Sequence, residues 1–346
     1  MRSLILLLER KSIFSERLAF ARSIFALGAL LTLLFNNVPE LADFELLSNK
    51  QEMIFVRNIP LANFSIFYLL GLELGKYISI LILLSVFTGY IPQVTGLLQA
   101  WVHYSICNSF LVVEGGDQIA SNLTILLVLI CLFDNRLNQW RPERKSEGRK
   151  PINVFFNIYY FLIILQVAII YLHSAVGKLY NEEWRNGTCA YYWFTHNVFG
   201  APVWIQRIYN IFTLSKFTPL FTWSVIILEL LLFACILATN RKLRYSFLIV
   251  GLIFHLSIIF THGLVSFFCS MAAALILYLD DENIIYSKIK NYLSKTIMVR
   301  KYKAKMGTMT IVLTLVLNLF IISLYYFIIF KKIMLRFLQQ QRSIFF

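Results

Sequence analysis

Apolar residues in this chain run in long blocks divided by short polar or basic clusters, without the alternating pattern of a half-buried strand. A run of about 20 apolar residues crosses the hydrocarbon of a bilayer as a helix. The blocks predict about nine such helices, near residues 18–35, 74–90, 97–113, 119–133, 152–177, 220–238, 245–262, 264–279 and 308–330. They must be helical because hydrocarbon offers no partner to an open backbone. The spans that follow Gly116 and Gly263 are short, so either they extend through polar ends or one of them is re-entrant. Residues 61–72 are apolar too, but Asn58, Pro60 and Asn63 break their start, and the segment reads as an interfacial helix feeding the second span. No repeat, low-complexity tract or soluble domain is visible. The expected fold is an all-α integral membrane protein, one polytopic bundle over residues 1–346.

Composition agrees with the pattern. Hydrophobic residues make up 59% of the chain and charged residues only 14%, whereas soluble domains carry nearer a quarter charged. The net charge of +14 therefore calls for lipid rather than nucleic acid as the partner, since the basic residues lie between the spans. Four precede Leu18, six fall between Arg136 and Lys150, three between Arg241 and Arg244, and seven between Lys288 and Lys305. Positive segments are retained in the cytoplasm, so the N-terminus is expected inside a bacterial plasma membrane. Asn36–Pro60, the turn EGGDQ and Tyr180–Phe217 are then outside. The basic tail with Lys331, Lys332, Arg336 and Arg342 runs against this rule. No small-residue cleavage site follows the first span, which reads as an uncleaved helix.

Charge inside a span is expensive and points to function by default. The polar residues there are Arg22, Glu73, Lys76, His103, His173, Lys178, Glu229, His255 and His262. Glu73 and Lys76 stand three apart and read as a mutually neutralising pair. Arg22, within a turn of the inner interface, is expected to snorkel. Lys178 ends a long apolar helix; it either marks the interface or is a sheltered amine able to take a proton once desolvated. Glu229, in ILELLLFA, has no cation in its own helix and needs a partner on another. His255 and His262, seven apart on one stripe, lack a third ligand at metal-binding spacing, so no metal is expected and proton handling or a bond to Glu229 is the reading. Cys107, Cys131, Cys235 and Cys269 read as small packing residues; Cys189 is either a reactive thiol or a buried one.

Four stretches in order, RLAFARSIFALGALLTLL, GGDQIASNLTILLVLICL, QVAIIYLHSAVGKLYNEEWRNGTCAYY and ELLLFACILATNRKLRYSFLIVGLIFHLSIIF, resemble the horizontally transferred transmembrane family, whose best-known member is the vitamin K-dependent gamma-carboxylase. The third is the most specific. Its small-residue run, Lys178-Leu179, Trp184 and Gly187 look like the carboxylase segment that holds the catalytic lysine. By that similarity Lys178 falls on the family's base position, and Glu229, Arg241 to Arg244 and His255 fall on its membrane glutamate, basic loop and later histidine; with His173, the residues Lys178, His255 and Glu229 are the catalytic candidates, and Trp184, Gly187, Tyr191 and His262 are candidate substrate contacts. The resemblance also implies a reduced quinone as cofactor, for which no sequence motif is present. The chain ends soon after its last expected span, without the carboxylase's C-terminal domain. In this it looks like the compact sporulation-delaying protein B type. That likeness implies maturation of a secreted antimicrobial peptide, together with a small companion protein. The aromatic run Tyr191, Tyr192, Trp193 and Phe194 is expected to fold over the helix ends or to form an interfacial belt. A non-catalytic scaffold or export partner is the other class of reading.

Overall fold

The computed structural model describes residues 13–41, 64–110, 113–141, 150–196, 200–213 and 216–279, all within one compact unit, Met1–Lys288. The expected span 308–330 and the basic tail lie outside the described residues. The described chain is helical, with one isolated bridge between Tyr90 and Asn138. The elements are α1 (Glu16–Phe35), α2 (Val38–Leu41), α3 (Ile66–Leu70), α4 (Leu72–Thr88), α5 (Pro92–Ser109), α6 (Gly115–Leu132), α7 (Lys150–Leu179), α8 (Glu182–Arg185), α9 (Cys189–Thr195), α10 (Val203–Thr213), α11 (Thr218–Ala234, continued by a 3-10 turn Cys235–Leu237), α12 (Arg241–His262) and α13 (Val265–Tyr278). Five stretches are long and apolar enough to cross a membrane: Arg17–Phe35, Gly115–Leu132, Ile152–Leu179, Thr218–Leu237 and Arg241–His262. The protein is a multi-pass helical membrane protein.

Each boundary has a local cause. Pro92 and Pro219 sit in the first turns of α5 and α11, where no backbone donor is lost. Gly89 and Gly263 end α4 and α12 in the left-handed conformation. The segment before α4 is broken at Gly71 (φ 79°); Ile66 and Phe67 of α3 are fully buried within the protein, while Tyr68, Leu69 and Leu70 are exposed.

Because lipid tails are as apolar as leucine, helices in a bilayer associate through close packing rather than through escape from water. Three glycines make that approach. A Cβ on Gly28 of α1 would stand 2.9 Å from Cys269 Cβ of α13. One on Gly96 of α5 would meet Cys131 of α6 at 2.5 Å, and one on Gly116 of α6 would meet Phe267 Cα of α13 at 2.5 Å. Apolar residues of α1 to α5, among them Ala26, Leu33, Phe67, Leu83, Val102 and Ile106, close one core.

Polar groups fasten the far end of this core. Arg22 is 1% exposed: it donates from Nε to Gln99 Oε1 (3.1 Å), from Nη2 to Thr95 Oγ1 (3.3 Å) and from Nη1 to Gln139. The snorkelling expected of it does not occur. Thr95 and Gln99 are one turn apart on α5, and Gln139 arrives from the loop after α6, so Arg22 is satisfied within the protein. That loop is itself held by a buried pair, Arg136 with Asp134, at 2.7 Å. The pairing read for Glu73 and Lys76 is absent among the described residues; Lys76 Nζ donates to Asn36 O (3.2 Å).

Candidate functional site

The long helix α7 carries a polar stripe at positions 171, 174 and 178. At 100° per residue Tyr171, Ser174 and Lys178 fall within roughly 60° of one another, facing α11. From α11 the stripe Thr222, Ile226 and Glu229 is buried against them. The two meet in a compact ion pair: Lys178 Nζ lies 2.7 Å from Glu229 Oε1 and 2.8 Å from Oε2. Ser174 Oγ stands between, accepting from Lys178 Nζ (2.8 Å) and donating to Glu229 Oε1 (2.9 Å). Trp184 of α8 covers the ammonium, 5.3 Å from ring centroid to Nζ. The side chains are 20% and 7% exposed. Lys178 is thus sheltered but reachable, and Glu229 has found its partner on another helix.

His255 of α12 is 2% exposed. The expected bond to Glu229 is replaced by one to Tyr171, whose hydroxyl is 3.0 Å from Nε2. Nδ1 is buried without a hydrogen-bond partner, and the ring packs edge-on to Phe267 (5.6 Å). Tyr171 therefore links His255 to the same face of α7 that holds Lys178. His173 is half-buried and, five residues from Lys178, lies roughly 140° around the helix, so the structure does not bring it to the pair.

The segment after α7 folds back over this end of the bundle. Gly187 has φ +75°, and a Cβ there would lie 2.6 Å from Pro219 Cα; only glycine lets the turn touch α11 so closely. Thr222 Oγ1 locks the contact, donating to Gly187 O (2.8 Å) and accepting from Ala190 N (3.2 Å). Gly187 therefore positions the cap. Beyond it, Trp193 and Phe194 lie against His262 at 5.3 and 6.1 Å between ring centroids. Phe194 also stacks on Tyr209 of α10 at 4.0 Å. Tyr191, Tyr192 and Trp193 stay exposed, so of the aromatic run only Phe194 is buried, while Trp193 lies against His262 and keeps its outer side bare.

Cys189 is buried, and burial, aided by the nearby Glu183 charge, pushes its thiol up to about 12. A thiol so disposed is not a nucleophile near neutral pH. Among the described residues no group of three His, Cys, Asp or Glu side chains is placed to hold a metal ion.

Sequence reasoning missed Ser174 and Tyr171. A lone hydroxyl on an apolar helix carries little signal, but the i, i+3, i+7 spacing with Lys178 marked them as one face.

This chain is 38% identical over 263 residues to sporulation-delaying protein SdpB of Bacillus subtilis (strain 168), covering 75% of this chain and 80% of that protein. It belongs to the SdpB family. The family extends to the uncharacterized protein YitO of the same organism, 34% identical over 283 residues, which cover 79% of this chain and 88% of YitO. No family model matches the chain. No solved structure matches it either.

Proposed function

We propose that this member of the SdpB family helps to produce or mature a secreted antimicrobial peptide of the sporulation-delaying type, and that Lys178 is the group that handles a proton there. The relative's name supports the biological setting. The observation that carries the chemistry is the Lys178–Glu229 pair with Ser174 between. A proton passed across 2.7 Å from Nζ to the carboxylate leaves a neutral amine, and a neutral amine is a base. Trp184 limits water on the exposed side. His255 and Tyr171 would orient this face or pass a proton on.

In this reading the N-terminus is cytoplasmic in a bacterial plasma membrane, and the Lys178 end of the bundle faces outward, where a secreted peptide and a small companion protein would meet it. The arrangement is also compatible in kind with a lysine base serving a reduced quinone, as the likeness to the carboxylase family implies.

Lys178→Arg tests the proposal, because arginine keeps the charge and its pair with Glu229 but does not give up a proton near neutral pH. The expected result is normal insertion and abundance with loss of peptide maturation in a producing strain. Full maturation by Lys178→Arg would overturn proton chemistry and leave the pair as a fastener between α7 and α11.

A further inference from the structure

Helix α10 divides its circumference into three sectors, which need three different surroundings. Ile205 and Tyr209 face the protein: Ile205 is buried, and Tyr209 stacks on Phe194 at 4.0 Å. About 100° away, Trp204, Ile208 and Ile211 form a stripe at i, i+4 and i+7, exposed by 64, 57 and 69%. The remaining sector holds Gln206 and Asn210, half-buried, Val203, exposed in the first turn, and Arg207, which is exposed at the border between this sector and the bare apolar stripe.

A helix in water would not keep tryptophan and two isoleucines bare on one flank while burying a second apolar flank in the protein. A helix lying in the plane of a membrane interface would: protein on one side, acyl chains on another, headgroups and water above, and a cation where lipid phosphates lie. Continuity favours the same occupant. Residue 213 ends α10 and Thr218 begins α11, one of the membrane-crossing stretches. The exposed residues of α11 nearest that join, Leu220, Trp223 and Ile227, carry the bare apolar surface onward.

We infer that α10 is an in-plane membrane helix whose Trp204–Ile208–Ile211 flank rests on acyl chains and whose Arg207 meets lipid phosphate. Its other flank grips Phe194, so the bilayer becomes one of the supports that keep the aromatic cap against His262. This does not depend on any chemistry at Lys178.

The test uses the full-length protein in vesicles of phosphatidylcholine and phosphatidylglycerol. Single substitutions Ile208→Cys, Ile211→Cys, Gln206→Cys and Asn210→Cys are labelled with an environment-sensitive fluorophore; the five native cysteines are buried. Quenching by iodide in the water is compared with quenching by a lipid-borne quencher. The expected result is several-fold stronger lipid quenching at 208 and 211 than at 206 and 210, with the reverse order for iodide. Equal iodide access at all four positions would overturn the inference. So would shielding of 208 and 211 from both quenchers, which would assign the flank to a protein partner. Trp204→Ala gives a second reading without a label: loss of the part of intrinsic fluorescence quenched by brominated lipid is expected, and unchanged quenching would count against the inference.

Discussion

Two of the cations that the bundle shelters, Arg22 and Lys178, are treated differently. Arg22, 1% exposed, is enclosed by side-chain amides and a hydroxyl; among the described residues it donates to Gln99, Gln139 and Thr95, none of them a carboxylate. Lys178 is matched to a carboxylate through two contacts, shares a serine with it, and keeps a fifth of its side chain open. Guanidinium does not release a proton in proteins, and neutral acceptors have none to exchange, so the first arrangement is inert glue. An amine against a carboxylate is a pair between which a proton has somewhere to go. The same physical problem, charge inside a membrane protein, is met at Arg22 by fixing the charge and at Lys178 by leaving it exchangeable.

Removing the glue is the harshest way to break the contrast. Arg22→Leu strands buried acceptors on Gln99, Gln139 and Thr95 and leaves a poorly filled space, a loss of about 3 kcal/mol or more, read as a fall in thermal midpoint in detergent and low abundance. Retention of normal stability would remove Arg22 as an organising residue. At Lys178 the single changes Lys178→Met and Glu229→Gln each orphan a partner, costing about 3 kcal/mol. The double change is expected to cost clearly less than the sum, and strict additivity in that cycle would show that the pair is not coupled. Gly187→Ala puts a Cβ into Pro219 at a positive φ. It should cost about 1–3 kcal/mol and loosen the cap while leaving the Arg22 region unchanged, which limited proteolysis between 180 and 217 would reveal. A pH effect at Glu114, just before α6, offers a further test. Burial first, and then Asp117, push its carboxyl up to about 8, and its Oε2 is buried without a partner. The folded state then holds a proton that the unfolded chain releases, so stability falls as pH rises from the ordinary carboxyl range to about 8. Glu114→Gln should flatten that slope, measured as thermal midpoint against pH.

Much of this was legible from the sequence, and the failures have a common cause. Long apolar blocks announced the helices, and Glu229, lacking a cation in its own helix, announced an interhelical partner. Lys178 was marked by its place at the end of α7. What a single helix could not disclose is where the acceptors come from. Gln99 and Thr95 lie on α5, and Gln139 lies in a loop that looked like solvent-facing punctuation. With their help Arg22 stays inside, where a rule based on distance from the interface sent it outward. His255 stood out in the sequence as a polar residue within a span, but its partner Tyr171 is a hydroxyl on another helix and invisible to a search for charge. The bare flank of α10 was overlooked because its 11 residues are too few for a span and too apolar for a loop.

The turn between α4 and α5 is not self-sufficient. Its Ile91 is held in a left-handed conformation, and its backbone is completed by the later loop: Ile91 N donates to Leu137 O (2.9 Å), Gln139 N to Gly89 O (2.8 Å) and Trp140 Nε1 to Phe87 O (3.0 Å). In chain order the first five helices therefore precede the clasp that completes them. Arg22 takes two acceptors from α5 and its third from 117 residues downstream, so the joint between α1 and α5 is complete only when the loop after α6 has folded back onto it.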